Sequence, residues 1–430
     1  MACIICFFED DFQENLRNIS QQRTAKFEDT ISEYKTNFIF EFNHLEKVSD
    51  CVKHKSCNPN TLKWASDLET SLKKLTTIES YFESIQSIYL TWINGQVKQS
   101  IDKLTEIIDD GDLLRQRDRF DKYFFFRGRH SKNYLTTDEL LHIPFDKRYL
   151  ISNQRYSITG QPIIYLGLSV LDVFAELKVQ NSDFFDINFS TFILKPDQTL
   201  NVFDFTSEFE SLLTTIDNLS KSGANLRFDD SQFSYHKDTD RMFYKSILIS
   251  LCSFKRRKES ENWSFCEEYV LPQLVTEIAR EKGFDGILFT STRINNSIAY
   301  SQEAFYVNRH KVNLALFTKY NCTSKFDADL ITKFEVSKPI KFQDTHSIDL
   351  DEIEKLKGHI IKADDKNHRL DSLTTLAEFT GISTHTSFEK LVVKEFSSAN
   401  FIPYTEHPTG QVHYYLLYQI LLTVRNKILA

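Results

Sequence analysis

Glycine and proline, the residues that stop helices and turn chains, occupy only nineteen positions of this sequence, 11 Gly and 8 Pro among 430 residues. That is about 4% of positions, against a usual combined share of roughly 12%. A chain so poor in breaks is committed to long regular elements, and it turns sharply only where those few residues fall. They are unevenly spread: three lie in residues 1–120, ten in 121–310 and six beyond. The distribution predicts a turn-rich core between two helical segments.

The first segment is periodic. Leu62, Leu68, Leu72, Leu75, Ile78, Phe82, Ile85 and Tyr89 fall mostly three or four apart, the stripe of an amphipathic helix. Asn94-Gly95 is expected to interrupt it, and Val97, Ile101, Leu104 and Ile108 to resume it. Phe12, Leu16 and Ile19, then Phe27, Ile31, Tyr34 and Phe38, predict earlier helices, so residues 1–120 read as a helical bundle. From 121 to 345 the texture changes. Short apolar runs at 124–126, 163–168, 191–194, 200–205 and 287–290 read as strands, and they alternate with helical patterns at 170–178, 240–254 and 270–282. The runs flanking Pro196-Asp197-Gln198 predict a hairpin. Residues 346–430 return to charged helical segments at 349–356 and 414–428. The expected class is α+β, with a mixed β core between an N-terminal bundle and a helical C-terminal extension.

A net charge of −8 disfavours a chain that coats nucleic acid or an anionic membrane. The apolar run at 414–424 contains Gln419 and falls short of the roughly 18 residues that span a bilayer. The start, Met-Ala-Cys-Ile-Ile-Cys-Phe-Phe-Glu-Asp-Asp, has no basic n-region, so no secretory signal is expected. Seven scattered cysteines are odd in number and unlike a disulfide framework; the expected location is the cytoplasm. Dinucleotide and P-loop glycine motifs, His-Glu-x-x-His, Gly-x-Ser-x-Gly and the kinase set are all missing.

Four stretches carry a chemical signal. They are Phe-Phe-Arg127-Gly-Arg129; Arg155-Tyr-Ser157-Ile-Thr-Gly160-Gln-Pro162-Ile-Ile-Tyr165, running on to Ala175-Glu176; Glu268-Tyr269-Val-Leu-Pro272-Gln273; and Gly283-Phe-Asp285-Gly286-Ile-Leu-Phe-Thr-Ser291. Singly, each has an ordinary structural role open to it. A strand-end arginine makes an ion pair, a tyrosine in an apolar strand is core, and a glutamate on a helix face is solvated. In this order the set resembles the RES family, named for its Arg, Glu and Ser, whose members include the toxins of RES–Xre toxin–antitoxin pairs. The family pattern places a Glu eleven residues after a Pro-x-x-Tyr, and Tyr165 and Glu176 are eleven apart. Similarity runs on through Val202-Phe-Asp204 and Asn313-Leu-Ala-Leu-Phe317 to Pro339, about half the chain. Gln154 replaces a frequent Gly and Phe289 the late family Tyr, and neither change removes a reacting group. The long stretch at 207–262 brings the chain nearer to the multidomain members.

The resemblance implies an ADP-ribosyltransferase-like core, here residues 121–345 as a RES catalytic domain, that cleaves NAD+ at the nicotinamide–ribose bond. NAD+ would be the substrate, with no separate cofactor. Glu176 would face the oxocarbenium-like transition state and bind the ribose hydroxyls. Arg127 and Arg155 would clamp the pyrophosphate as planar guanidinium forks, with Arg129 and Ser157 beside them. Tyr165 would stack on the substrate and Ser291 bond its ribose or carboxamide. Tyr269 and Gln273, four apart on one helix face, either line the site or pack. Water as acceptor gives a glycohydrolase, and phosphate a phosphorylase. The implied role is a toxin or antiphage effector that depletes NAD+, with an inhibitory protein partner and a bundle that regulates it or makes a homo-oligomer. The alternatives are an ADP-ribosyltransferase acting on a macromolecule and a nucleotide-binding sensor without catalysis.

Cys3-x-x-Cys6 and Cys51-Val-Lys-His54-Lys-Ser-Cys57 hold enough thiols and imidazole for a tetrahedral zinc site, with Cys3, Cys6, Cys51 and Cys57 as candidate ligands. The second Cys-x-x-Cys is missing, so the expected reading is two incidental cysteine pairs and no metal. Arg115-Gln-Arg117-Asp-Arg119 and Lys255-Arg-Arg-Lys258 read as solvated surface.

Overall fold

The computed structural model describes residues 2–56, 59–114, 116–117, 124–179, 181–195, 198–207, 237–257, 265–293, 298–299, 312–345, 351–353, 355–356, 358, 392–394, 401–403 and 406–429. Cys57, Arg115, Arg119, Pro196, Asp197 and Lys258 lie outside them. The helices are α1 (Ile4–Phe7), α2 (Asp10–Arg23), α3 (Phe27–Asn43), α4 (Pro59–Leu72), α5 (Ile78–Ile93), α6 (Val97–Asp110), α7 (Val170–Leu177), α8 (Lys237–Cys252), α9 (Val270–Glu281), α10 (Ala328–Thr332) and α11 (Pro408–Leu429). The strands are β1 (Gln116–Arg117), β2 (Phe124–His130), β3 (Ile163–Gly167), β4 (Ile187–Leu194), β5 (Val202–Phe205), β6 (Gly286–Thr290), β7 (Ile298–Ala299), β8 (Val312–Phe317), β9 (Phe334–Val336), β10 (Ile340–Lys341), β11 (Val392–Lys394) and β12 (Phe401–Pro403). This is the expected α+β class. No described helix is long and apolar enough to cross a membrane.

The chain forms two compact units. One gathers Met1–Arg115, Asn153–Ile158 and Asp204–Lys282, and the other gathers Gln116–Ser152, Thr159–Phe203 and Gly283–Ala430. The first is a helical bundle with an aromatic centre. Phe27, Ile31, Tyr34, Phe38 and Phe42 recur at helical spacing along α3 and are buried. Their rings meet neighbours edge to face, with centroids 4.9 Å apart for Phe7 and Phe38, 5.3 Å for Phe38 and Phe82, and 5.5 Å for Phe27 and Phe254. Such geometry adds about 0.5–1.5 kcal/mol per pair beyond the area it removes from water. Phe243 of α8 joins the cluster, 5.4 Å from Phe42.

The stripe starting at Leu62 breaks twice rather than once. Asn94-Gly95 ends α5 as expected, by a Schellman closure: Gly95 takes φ +79°, its N–H reaches Trp92 O (2.8 Å), and the Gln96 N–H reaches Thr91 O (3.1 Å). The break at 73–77 contains neither Gly nor Pro. There the N–H groups of Lys73, Lys74 and Leu75 close the last turn of α4 onto Glu69, Ser71 and Leu72 carbonyls.

The second unit is built on a nine-stranded sheet in the order β1-β5-β6-β8-β3-β2-β4-β10, with β9 also on β4. It is two ladders joined at one point. β2 pairs with β4 from Phe124↔Ile193 to His130↔Ile187, and β3 with β8 from Ile163↔Phe317 to Gly167↔Asn313. Between β2 and β3 the only register pair is Phe126↔Gly167. The expected hairpin across Pro196-Asp197 does not form, because β4 lies beside β2, β9 and β10 while β5 lies between β1 and β6. Both strands are buried along their length, so distant partners on each edge outweigh a local turn. A small second sheet, β12-β11-β7, gives the C-terminal extension two strands besides α11.

One face of the large sheet buries Phe126 and Phe189 under Val173 and Phe174 of α7 and Val412 and Leu416 of α11. The other buries Phe125, Ile164, Leu166, Phe192, Leu288 and Leu314. α7 can lie close because Gly128 has no side chain. A Cβ there would sit 2.6 Å from Val173 Cγ1 and 2.9 Å from Leu177 Cδ1. Helix α7 starts at a capping box, in which Ser169 Oγ accepts from the Asp172 N–H (3.1 Å) and Asp172 Oδ2 accepts from the Ser169 N–H (3.0 Å).

Candidate active site

Residues directly opposite in antiparallel strands share a face. Phe126, Gly167, Asn313 and Phe289 therefore form one row beneath α7, and Tyr165, Ala315 and Ile287 the next. Over this surface the last turn of α7 presents Glu176. Its Oε1 accepts from Ser291 Oγ (2.7 Å) and from Asn313 Nδ2 (2.8 Å), and its Oε2 lies 3.3 Å from Arg293 Nε. Arg293 also donates to the Glu176 main-chain carbonyl, at the C-terminal end of α7, where the helix dipole favours a cation. Ser291 and Asn313 are buried, while the Glu176 side chain keeps 35% of its surface exposed. The carboxylate is held at both oxygens and remains partly exposed.

One turn earlier, Asp172 is a different carboxyl. It is fully buried, its Oδ2 is used by the Ser169 cap, and its Oδ1 has no partner among the described residues. Burial pushes its pKa well above the ordinary aspartate value, and the Glu176 charge pushes the same way.

Arg127 alternates with Gly128, which puts it on the Phe125 side of β2, away from the face that carries Tyr165. Where β2 and β3 part, its Nη1 donates to the Tyr165 carbonyl (2.8 Å) and its Nη2 to that of Leu141 (3.4 Å). Its buried Nε has no partner among the described residues. Burial, with Arg129 adding repulsion, lowers its pKa to about 10. Arg129 is exposed and donates to Glu139 O (2.8 Å). Tyr165 is half-buried, and its ring meets Phe289 edge to face at 6.3 Å.

The remaining motif residues belong to the helical unit. Arg155 donates from Nη1 to Cys252 O (2.5 Å) and from Nη2 to Phe254 O (2.7 Å), closing the C-terminal end of α8, and its guanidinium lies 5.0 Å from the Tyr269 ring centre. Gln273 Nε2 donates to Asn153 Oδ1 (2.5 Å), Gln154 O (2.9 Å) and Ser157 O (3.1 Å), fastening the short turn at 153–158 to α9. Ser157 is buried and bonds to Ile158 O (3.3 Å).

Glu176 and Ser291 are thus brought together as their motif suggests. Asn313 and Arg293 complete the cluster and were not picked out by sequence. Asn313 did leave a signal, as the one polar side chain in the otherwise apolar strand 312–317. Arg293 left none beyond standing two residues after Ser291. Of the candidate metal ligands, Cys3, Cys6 and Cys51 converge, with His54 as the fourth member, while Cys57 lies outside the described residues.

The chain is α+β, and a partly exposed carboxylate held by Ser291, Asn313 and Arg293 lies against one face of its large sheet. No family model matches the chain, and no solved structure matches it. It is similar to a protein of Bacillus subtilis (strain 168) named "Putative toxin YopC", 25% identical over 283 residues, which is 63% of this chain. The match spans 60% of that relative's length.

Proposed function

We propose that the chain degrades NAD+ by cleaving the nicotinamide–ribose bond, with Glu176 as the carboxylate that faces the reacting sugar. The observation that supports this most is the Glu176 carboxylate itself, fixed by buried Ser291 and Asn313 on one oxygen and by Arg293 on the other, yet with 35% of its side chain still exposed. In NAD+ the nicotinamide nitrogen already carries positive charge. When the C1′–N bond breaks, its electron pair returns to that nitrogen and nicotinamide leaves neutral, so no general acid is needed. The sugar is left as an oxocarbenium ion, which calls for one negative group held rigidly nearby. Water then adds at C1′ and loses its proton to solvent, giving ADP-ribose. Arg127 lies on the opposite face of the sheet from Glu176 and bonds the Tyr165 and Leu141 carbonyls, so in this reading it holds backbone rather than the pyrophosphate. The name of the Bacillus relative supports a toxin role, in which the lesion is loss of cellular NAD+.

The test is to incubate the purified chain with NAD+ and follow nicotinamide and ADP-ribose, beside Glu176→Gln. Catalytic release of both products, abolished in the variant, is expected. A Glu176→Gln chain as active as the parent would overturn the site. Label retained on a macromolecule in step with nicotinamide release would replace hydrolysis by ADP-ribosyl transfer.

A further inference from the structure

Four ligand-type side chains meet far along the sequence from the motif residues. Cys3, Cys6, Cys51 and His54 are all buried, and their Sγ and Nδ1 atoms lie within 4.8 Å of one another. Nδ1 of His54 stands 3.4 Å from Cys3 Sγ, 3.4 Å from Cys6 Sγ and 3.6 Å from Cys51 Sγ, and the Sγ atoms of Cys6 and Cys51 are 3.7 Å apart. Four ligands bound tetrahedrally to zinc at about 2.3 Å for sulfur and about 2.0–2.1 Å for nitrogen have sulfur–sulfur edges of about 3.8 Å and sulfur–nitrogen edges of about 3.5 Å. The four separations given match four of the six edges of that tetrahedron, and the remaining pairs lie within 4.8 Å.

The local folds present the ligands as two single-turn pairs. Cys3 caps α1 and Cys6 lies one turn on. Cys51 and His54 share the turn at 47–55, closed by Cys51 N–H to Lys47 O (3.2 Å) and His54 N–H to Cys51 O (3.2 Å). Behind the imidazole, His54 Nε2 lies 3.9 Å from Glu9 Oε1, and Lys53 Nζ holds the same carboxylate at 2.8 Å. A carboxylate behind a histidine is how metal sites set the ring's tautomer and orientation. Core packing and a disulfide both fit this geometry less well. Thiols packed as small hydrophobes have no reason to converge on one ring nitrogen. A disulfide needs sulfurs about 2.05 Å apart, well inside the Cys6–Cys51 separation.

We propose that Cys3, Cys6, Cys51 and His54 bind one structural zinc ion. Four protein ligands close the coordination shell, so the ion has no open position for chemistry. Its work is mechanical. α1 has only four residues, too few to hold a helical turn by local bonds, and the ion would anchor it to the turn at 47–55.

The full chain, purified without chelator, should carry about one zinc per molecule by inductively coupled plasma mass spectrometry. Cobalt(II) exchanged into it should show the intense visible absorption of a tetrahedral site together with thiolate-to-cobalt charge transfer. Cys51→Ser and His54→Ala should each lower zinc content at least about fivefold, whereas His54→Cys should keep it, since four thiolates also suit zinc. Cys252→Ser, a buried thiol outside the set, should leave it unchanged. The cobalt spectrum reads the parent chain directly, so the test survives a variant that fails to fold. Zinc below about a tenth of an equivalent from zinc-replete cells with no tetrahedral cobalt spectrum would overturn the proposal. So would zinc retained in both Cys51→Ser and His54→Ala, or a Cys6–Cys51 disulfide in the unreduced chain.

Discussion

The two regions that carry the motif residues spend their polar side chains in opposite ways. Around Glu176, side chains bond one another: Ser291 and Asn313 donate to one carboxylate oxygen and Arg293 faces the other. Around Arg155 and Gln273, side chains bond mostly main-chain carbonyls: those of Cys252 and Phe254 for the arginine, and those of Gln154 and Ser157 for the glutamine. The first arrangement fixes a carboxylate while leaving it partly exposed. The second holds backbone in place. Residues of one motif can thus divide into presenting and fastening roles, and under the proposed function substitution should separate them: a presenting residue should cost activity and a fastening residue stability.

Glu176→Gln should have the largest effect, lowering nicotinamide release by at least about 10²–10³-fold with the unfolding midpoint near that of the parent, because the amide oxygen still accepts from Ser291 and Asn313. Product chromatography and thermal melts on the same sample check both halves. Next comes Gln273→Ala, which frees acceptors at Asn153, Gln154 and Ser157 and should cost about 2–3 kcal/mol in urea unfolding. Unchanged stability with a raised KM for NAD+ would move Gln273 from the fastening group to the presenting one. Gly128→Ala should cost about 1–3 kcal/mol, because the new methyl meets Val173 and Leu177, and should lower kcat by lifting α7 and Glu176 from the sheet. An equally stable, equally active variant would show that the close approach of α7 does not position the carboxylate.

The smallest effect belongs to Asp172. Its folded pKa is raised above its unfolded one, so the stability it contributes is fully present below the unfolded value and is lost as pH rises through the folded value. Asp172→Asn cannot ionise, and its amide oxygen can still accept from the Ser169 N–H. Urea midpoints measured between about pH 5 and pH 8 should fall with pH in the parent and stay flatter in the variant. Parallel curves would mean that the carboxyl finds water or a partner in solution.

Much of the local structure was legible in the sequence. The 3.6-residue stripes of α3, α5 and α6, the stop at Gly95 and the five main apolar strands follow from short-range periodicity and turn chemistry. Pairing was not legible, as the missing hairpin between β4 and β5 shows. Nor was the break at 73–77, where hydrogen bonds end a helix without any residue that stops one. In the site, the motif reached Glu176 and Ser291, because residue types and spacing survive in one dimension. It could not reach Arg293, which becomes important only when its guanidinium arrives beside Glu176, 117 residues away in sequence.

The scarcity of Gly and Pro, and where those residues fall, determined that this chain is helical at its start and turns tightly in its middle. Those are local properties, set by φ/ψ freedom and side-chain periodicity. Tertiary structure decided which unit each segment joins: residues 204–282 fold with the N-terminal helices, and the 153–158 turn goes with them. It also brought the Cys51–His54 turn to the distant Cys3 and Cys6, and Asn313 beneath Glu176. The reason is that burial rewards contact regardless of separation along the chain, so the partner of a buried polar group is chosen by packing rather than by sequence neighbourhood.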